Sequence, residues 1–168
     1  KIGEYVICGN KGVCEVENIT TLDISGVDKG RKYYILKPRY MAGSTVYVPV
    51  DSSGDSMRPV LNRDEAEKLI DSIPQIPMLT IINEKLTEQA YRDSMKTNKC
   101  EEWVRVIKTI YLRKQKRLQS GRKVTAVDAK YSHLAEENLY GELAVALGIG
   151  RNEVEGYIAR SLDERPVR

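Results

Sequence analysis

The side chains best placed to do chemistry in this chain are cations. Between Trp103 and Val127 lie Arg105, Lys108, Arg113, Lys114, Lys116, Arg117, Arg122 and Lys123, with no acid among them. A merely solvated helix face mixes signs and gains i,i+4 pairs, whereas the adjacent pairs Arg113-Lys114 and Lys116-Arg117 repel one another unless a polyanion neutralises them. Phosphate is the matching partner, and such contacts position a protein on nucleic acid without reading its sequence. The other chemically capable residues point away from catalysis. The single histidine, His133, lies mid-helix with no Cys, Ser or Asp constellation around it. Gly148-x-Gly150 follows a helix and lacks a third glycine, which fails the dinucleotide pattern on context. There is no phosphate-binding lysine loop and no metal-ligand spacing. Cys8, Cys14 and Cys100 cannot all pair and read as buried thiols. The expectation is a protein that is not an enzyme, with no cofactor, no metal and no small-molecule substrate.

A second pattern competes for the nucleic-acid role. Ala144, Gly148 and Val154 stand near the spacing of a helix-turn-helix, in which small residues let two helices cross closely. Its would-be recognition helix, Arg151 to Leu162, sets Arg151 and Arg160 against Glu153 and Glu155, a poor surface for a polyanion. A plain helix corner is the favoured reading; an autonomous repressor built on this corner stays open as the alternative, as does an adaptor that never touches DNA.

These residues need elements to hold them. The chain has 168 residues, 41% hydrophobic and 30% charged, the balance of a globular protein with room for one core or two thin ones. No stretch approaches the roughly 20 apolar residues that span a bilayer, and the opening residues lack a signal core, so the expected location is cytoplasmic with no membrane partner. The net charge of +3 is unevenly spread: residues 1–74 carry 10 basic and 11 acidic side chains, residues 75–168 carry 17 and 13. Strand-like alternation occupies Tyr5 to Cys8, Val13 to Ile19, Lys32 to Lys37 and Ser44 to Val50, separated by Gly- and Asn-rich turns. Short strands so closely spaced predict a small antiparallel module of SH3-like or Tudor-like size over residues 1–60. The period then changes. Asn62 to Ile70 reads as a short helix, and with the Pro74–Pro77 stretch it forms a connecting segment over 61–77. Residues 78–168 read as all-helical: Glu84 to Met95; Glu101 to Leu118, where Trp103, Val106, Ile107 and Ile110 share a face; and a helix from a Thr125–Asp128 capping box to Leu147, followed by one capped by Asn152. The fold class is α+β, with an N-terminal antiparallel β-module and a C-terminal helical domain.

The motifs resemble the CarD/CdnL family of bacterial RNA polymerase-binding transcription regulators over nearly the whole chain. The opening Gly3-Glu4-Tyr5-Val6-Ile7-Cys8, with Gly12 and Val16, and the strands Tyr33-Tyr34-Ile35-Leu36 and Val46-Tyr47-Val48-Pro49 are similar to the family's N-terminal module, which the transcription-repair coupling factor shares. Tyr91-Arg92, Val106-Ile107, Arg113, Val124-Thr125, Asp128 and Gly141-Glu142-Leu143-Ala144 follow the family's order in the C-terminal half.

The resemblance implies that the β-module binds the lobe of the polymerase β subunit. It also implies that the helical domain contacts promoter DNA, without sequence specificity, at the upstream edge of the open bubble and so modulates open-complex stability. The polymerase-facing positions that line up are Leu22, Ile24 and Tyr47; at two of them relatives often carry arginine. The DNA-facing positions are Arg92, Arg113 and Lys130, to which the charge pattern adds Lys114, Lys116 and Arg117. Where many relatives place a minor-groove tryptophan wedge, four residues before the Tyr-Arg pair, this chain has Thr87, so wedging is expected to be weak or to fall to Leu86. A surplus of five residues within Leu118 to Lys123 lengthens the basic connector. A monomer associated with the nucleoid through polymerase is the expected working form.

Overall fold

The computed structural model describes residues 2–21, 30–41, 43–52 and 57–163. The chain divides into two compact units, Lys1–Val60 and Leu61–Arg168.

The first unit is a five-stranded antiparallel sheet: β1 (Tyr5–Cys8), β2 (Val13–Thr21), β3 (Lys32–Pro38), β4 (Val46–Pro49) and β5 (Met57–Pro59). The spatial order is β4-β3-β2-β1-β5. Side-chain alternation builds the core on one face, where Val6, Cys8, Cys14, Val16, Leu36 and Val48 are buried, with Tyr34, Val46 and Met57 packed around them. The β1–β2 connection is a single 3₁₀ turn, Gly9–Lys11, closed by Gly12 at φ +71°, ψ −140°, a conformation that side chains with a Cβ rarely adopt. A bulge between Val16 and Asn18 re-phases β2, so that Asn18, Ile19 and Thr20 face Ile35, Tyr34 and Tyr33. The fifth strand is an addition to the sequence reading; it is three residues long and ends in a proline, which an edge strand tolerates.

The second unit contains α1 (Arg63–Ser72), α2 (Thr87–Lys96), α3 (Cys100–Gln119), α4 (Ala126–Leu147) and α5 (Val154–Asp163). The expected connecting segment 61–77 lies within this unit: α1 buries Ala66, Leu69 and Ile70, and its capping box pairs Asn62 with Glu65 in both directions. The backbone N–H of Leu61 donates to the buried Glu142 carboxylate at 2.9 Å. α4 is the central helix: α1, α2, α3 and α5 all pack on it, and four consecutive residues, Gly141 to Leu143 and Ala144, are buried because more than one face is covered. It ends at Gly148, whose left-handed φ of +69° lets the following amides reach back to Ala144. α5 starts differently from expectation. Asn152 does not cap it but sits inside a 3₁₀ turn, Arg151–Glu153, that leads into the helix.

Candidate polymerase and nucleic-acid interfaces

In the first unit, β4 is an edge strand: it pairs with β3 and, among the described residues, with no other strand. Tyr47 is 48% exposed and lies opposite Ile35, on the face away from the core. Tyr33, opposite Pro49, shares that face, so β3 and β4 present an apolar strip beside unpaired backbone groups. Leu22 and Ile24 lie outside the described residues.

In the second unit, the basic run separates into two sets. The first is consumed internally. The Lys108 ammonium donates to the carbonyls of Ile73 at 2.8 Å and Ile76 at 2.6 Å, neutralising the C-terminal end of the α1 segment. Arg105 pairs with Glu102 at 3.0 Å and reaches the Pro77 carbonyl at 3.2 Å. Arg113 is 21% exposed at its side chain; its Nε donates to Asp128 at 2.9 Å, and Nη1 and Nη2 donate to the two Glu84 oxygens at 2.9 and 3.0 Å. Asp128 is buried and also accepts from the Tyr91 hydroxyl at 2.8 Å. Its carboxylate therefore does not complete the expected capping box, although the Thr125 hydroxyl does accept from the Asp128 amide at 3.1 Å. Burial and the Asp128 carboxylate push the Tyr91 hydroxyl above its usual range, and the Arg113 fork holds Glu84 below its own. Arg113, one of the expected DNA-facing positions, thus has its donors engaged by carboxylates of its own unit.

The second set stays in solvent. From Tyr111 to Lys123 no residue is buried, and α3 closes at Gly121 (φ +73°) with the Arg122 amide donating to Arg117. On this tip Lys114, Lys116, Arg122 and Lys123 are exposed and form no ion pair among the described residues. Arg117 braces the turn by donating to the Lys123 carbonyl at 2.8 Å and keeps its charge there. Arg92 is exposed but pairs with Glu88 at 3.3 Å, and Lys130 lies over the Tyr131 ring at 5.3 Å.

Glu84, held by Arg113, opens an apolar edge. A 3₁₀ turn, Glu84–Leu86, precedes α2, and it leaves Leu86 58% and Ile82 93% exposed. With Ile81 and Ala90 they border an open groove of about 230 Å³. Thr87, at the relatives' wedge position, is the first residue of α2 and 5% exposed, with its hydroxyl directed to Glu84 at 3.4 Å. Trp103 is 1% exposed, in the core as its place on the apolar stripe predicts.

Residues 1–61 match the family model described as the CarD-like/TRCF RID domain. The N-terminal unit is a CarD-like RID domain. No curated protein matches the chain. The RID domain family interacts with the RNA polymerase β subunit and is regulatory and non-enzymatic in kind, so this is an RNA polymerase-interacting, transcription-related protein, consistent with a CarD/CdnL-like chain. The RID match stops where the sheet stops; the helical unit lies beyond it. Among the described residues no helix is long and apolar enough to cross a membrane. Sequence reasoning about the helical unit missed Ile82, whose exposure follows from its place between the Thr80-Ile81 stretch and the Asn83-capped turn rather than from any periodicity. It also missed that an arginine four residues N-terminal to Arg117 would turn inward.

Proposed function

We propose that this chain uses its RID domain to bind the lobe of the polymerase β subunit, and its helical unit to hold promoter DNA at the upstream edge of the open bubble, modulating open-complex stability without sequence recognition. The observation that carries the DNA half is the helix tip itself, where Lys114, Lys116, Arg122 and Lys123 are solvated beside Arg117; the same unit exposes the apolar side chains of Leu86 and Ile82. Arg113 and Arg117 both act on Glu84 of that edge. Cations grip phosphates, and an exposed aliphatic side chain at the end of a duplex can take the place of a stacked base, a contact that costs a few kcal/mol of unstacking and is repaid by the groups around it. Arg92 and Lys130 supply further phosphate contacts once their weak surface partners exchange. The polymerase half rests on the RID match and on Tyr47 beside the open edge of β4, where strand addition by a partner is physically available. Tethering gives the weak DNA contact a high effective concentration, so no free-standing affinity is needed.

The test uses the full chain with polymerase and a promoter fragment. Lys114→Glu with Lys116→Glu should shorten the open-complex lifetime several-fold while polymerase binding is unchanged; loss of polymerase binding, or an unaltered lifetime, refutes this division of labour. Selection from random duplexes should enrich no motif. After the Gly148 corner the 3₁₀ turn and α5 expose Glu153 and Glu155 beside Arg151 and Arg160, a mixed-sign surface.

A further inference from the structure

Arg113 holds two carboxylates at once, and they differ in setting. On its inner edge is Asp128, fully buried, fixed by Tyr91 and by the Thr125 cap at the start of α4. On its outer edge is Glu84, whose side chain is 76% exposed and which receives two parallel N–H bonds, the geometry that makes an Arg–carboxylate pair directional. Glu84 opens the turn that displays Leu86, with Ile82 just ahead of it; both are in solvent, with no core of their own to hold them. Local bonds shape the turn, since Asn83 accepts from the Lys85 amide at 3.0 Å, and ahead of it the Leu79 amide donates to Thr109 of α3 at 2.9 Å. Within the turn itself, the Glu84–Arg113 fork is a bidentate side-chain bond to α3.

Resting on the function proposed above, we infer that Arg113 and Glu84 form a clasp: Arg113 is a positioning residue that locks the Leu86 turn to α3 and α4, and it is not a phosphate ligand. A phosphate reaching the outer edge of this guanidinium meets Glu84 already seated there. The rival arrangement, in which Glu84 is a stand-in that phosphate displaces, has consequences of opposite sign.

The clasp is tested on the full chain with Glu84→Gln, which keeps the shape of the side chain, removes its charge and leaves the inner Arg113–Asp128 pair intact. Amide hydrogen exchange of residues 81–86 should speed up about tenfold or more, with exchange in α3 and α4 unchanged. In the polymerase–promoter complex, the fluorescence of 2-aminopurine placed at the upstream edge should fall to the level given by Leu86→Ala, while affinity for plain duplex stays within twofold. Arg113→Lys, which keeps the charge and loses the fork, should reproduce both effects and leave the salt dependence of duplex binding as it was. Unchanged exchange at 81–86 overturns the clasp, whatever the DNA result. A several-fold rise in duplex affinity with Glu84→Gln also overturns it, in favour of phosphate displacement. Faster exchange together with a Leu86→Ala variant that behaves as wild type supports the clasp and removes the apolar-edge reading instead.

Discussion

Arg113 inserts its guanidinium between Asp128 and Glu84, while Lys114, one residue and about 100° further round the same helix, stays in solvent. That angular step decides which cation is available to a partner. Asp128→Ala strips a buried anion from both Tyr91 and Arg113, and should cost about 2–4 kcal/mol by thermal or denaturant unfolding, since breaking a buried pair leaves the remaining charge uncompensated. Lys114→Gln with Lys116→Gln should leave stability within about 0.5 kcal/mol. If both contact phosphate, it should lower the slope of log affinity against log salt by about 2. Glu84 and Glu136 behave oppositely with pH. Arg113 holds Glu84 ionised below the usual carboxylate range, so the clasp is fully formed above that range and is lost only as the pH falls through the depressed value. Glu136 is raised, by burial and then by Glu155, so its charge opposes folding at neutral pH and stability improves as the pH falls through the raised value. Glu136→Gln should therefore raise the melting temperature at pH 7 by the order of 1–3 °C and flatten its acid-side dependence.

At the scale of elements, the ends were easier to read than the joins. Asn62–Glu65, Thr125, Gly121 and Gly148 are end signals whose chemistry is local, and each acts where its residue type requires. Gly148→Ala should cost about 1 kcal/mol, because a Cβ is strained at φ +69° although nothing stands in its way. The spacing reads Glu84–Leu86 as helix and Asn152, inside the turn Arg151–Glu153, as a cap, since a short 3₁₀ start and a first α-turn use the same polar residues and differ only in the hydrogen-bond partner each amide finds. The fifth strand escaped for the complementary reason: Met57–Pro59 has no alternation to detect, and it is a strand because β1 offers it a ladder.

At the scale of the molecule, the boundary at 60/61 alters the charge argument. The first unit has 8 basic and 7 acidic residues and the second 19 and 17, so neither is strongly charged as a whole. What differs is distribution: in the second unit four exposed cations, Lys114, Lys116, Arg122 and Lys123, lie within ten residues at one helix tip. Two separate modules predict separable losses. Tyr47→Glu in the full chain should reduce capture of the polymerase β lobe at least tenfold while leaving its affinity for duplex DNA within twofold; a parallel loss of both would show that the two activities share a surface.

The amino-acid sequence by itself determined the two periods of the chain, the order of most elements, the buried thiols and Trp103, and the eight-cation run, because each depends on residue type and near-neighbour spacing. Only the tertiary structure decided which cations are free. Arg105, Lys108 and Arg113 find carboxylates or carbonyls 3 to 35 residues away in sequence, whereas Lys114, Lys116, Arg122 and Lys123 find none among the described residues. The same holds for the apolar edge, where Thr87 turns inward and Leu86 outward because the chain changes from a 3₁₀ turn to an α-helix between them. Pairing across a fold is a matter of distance in space, which no spacing along the chain encodes.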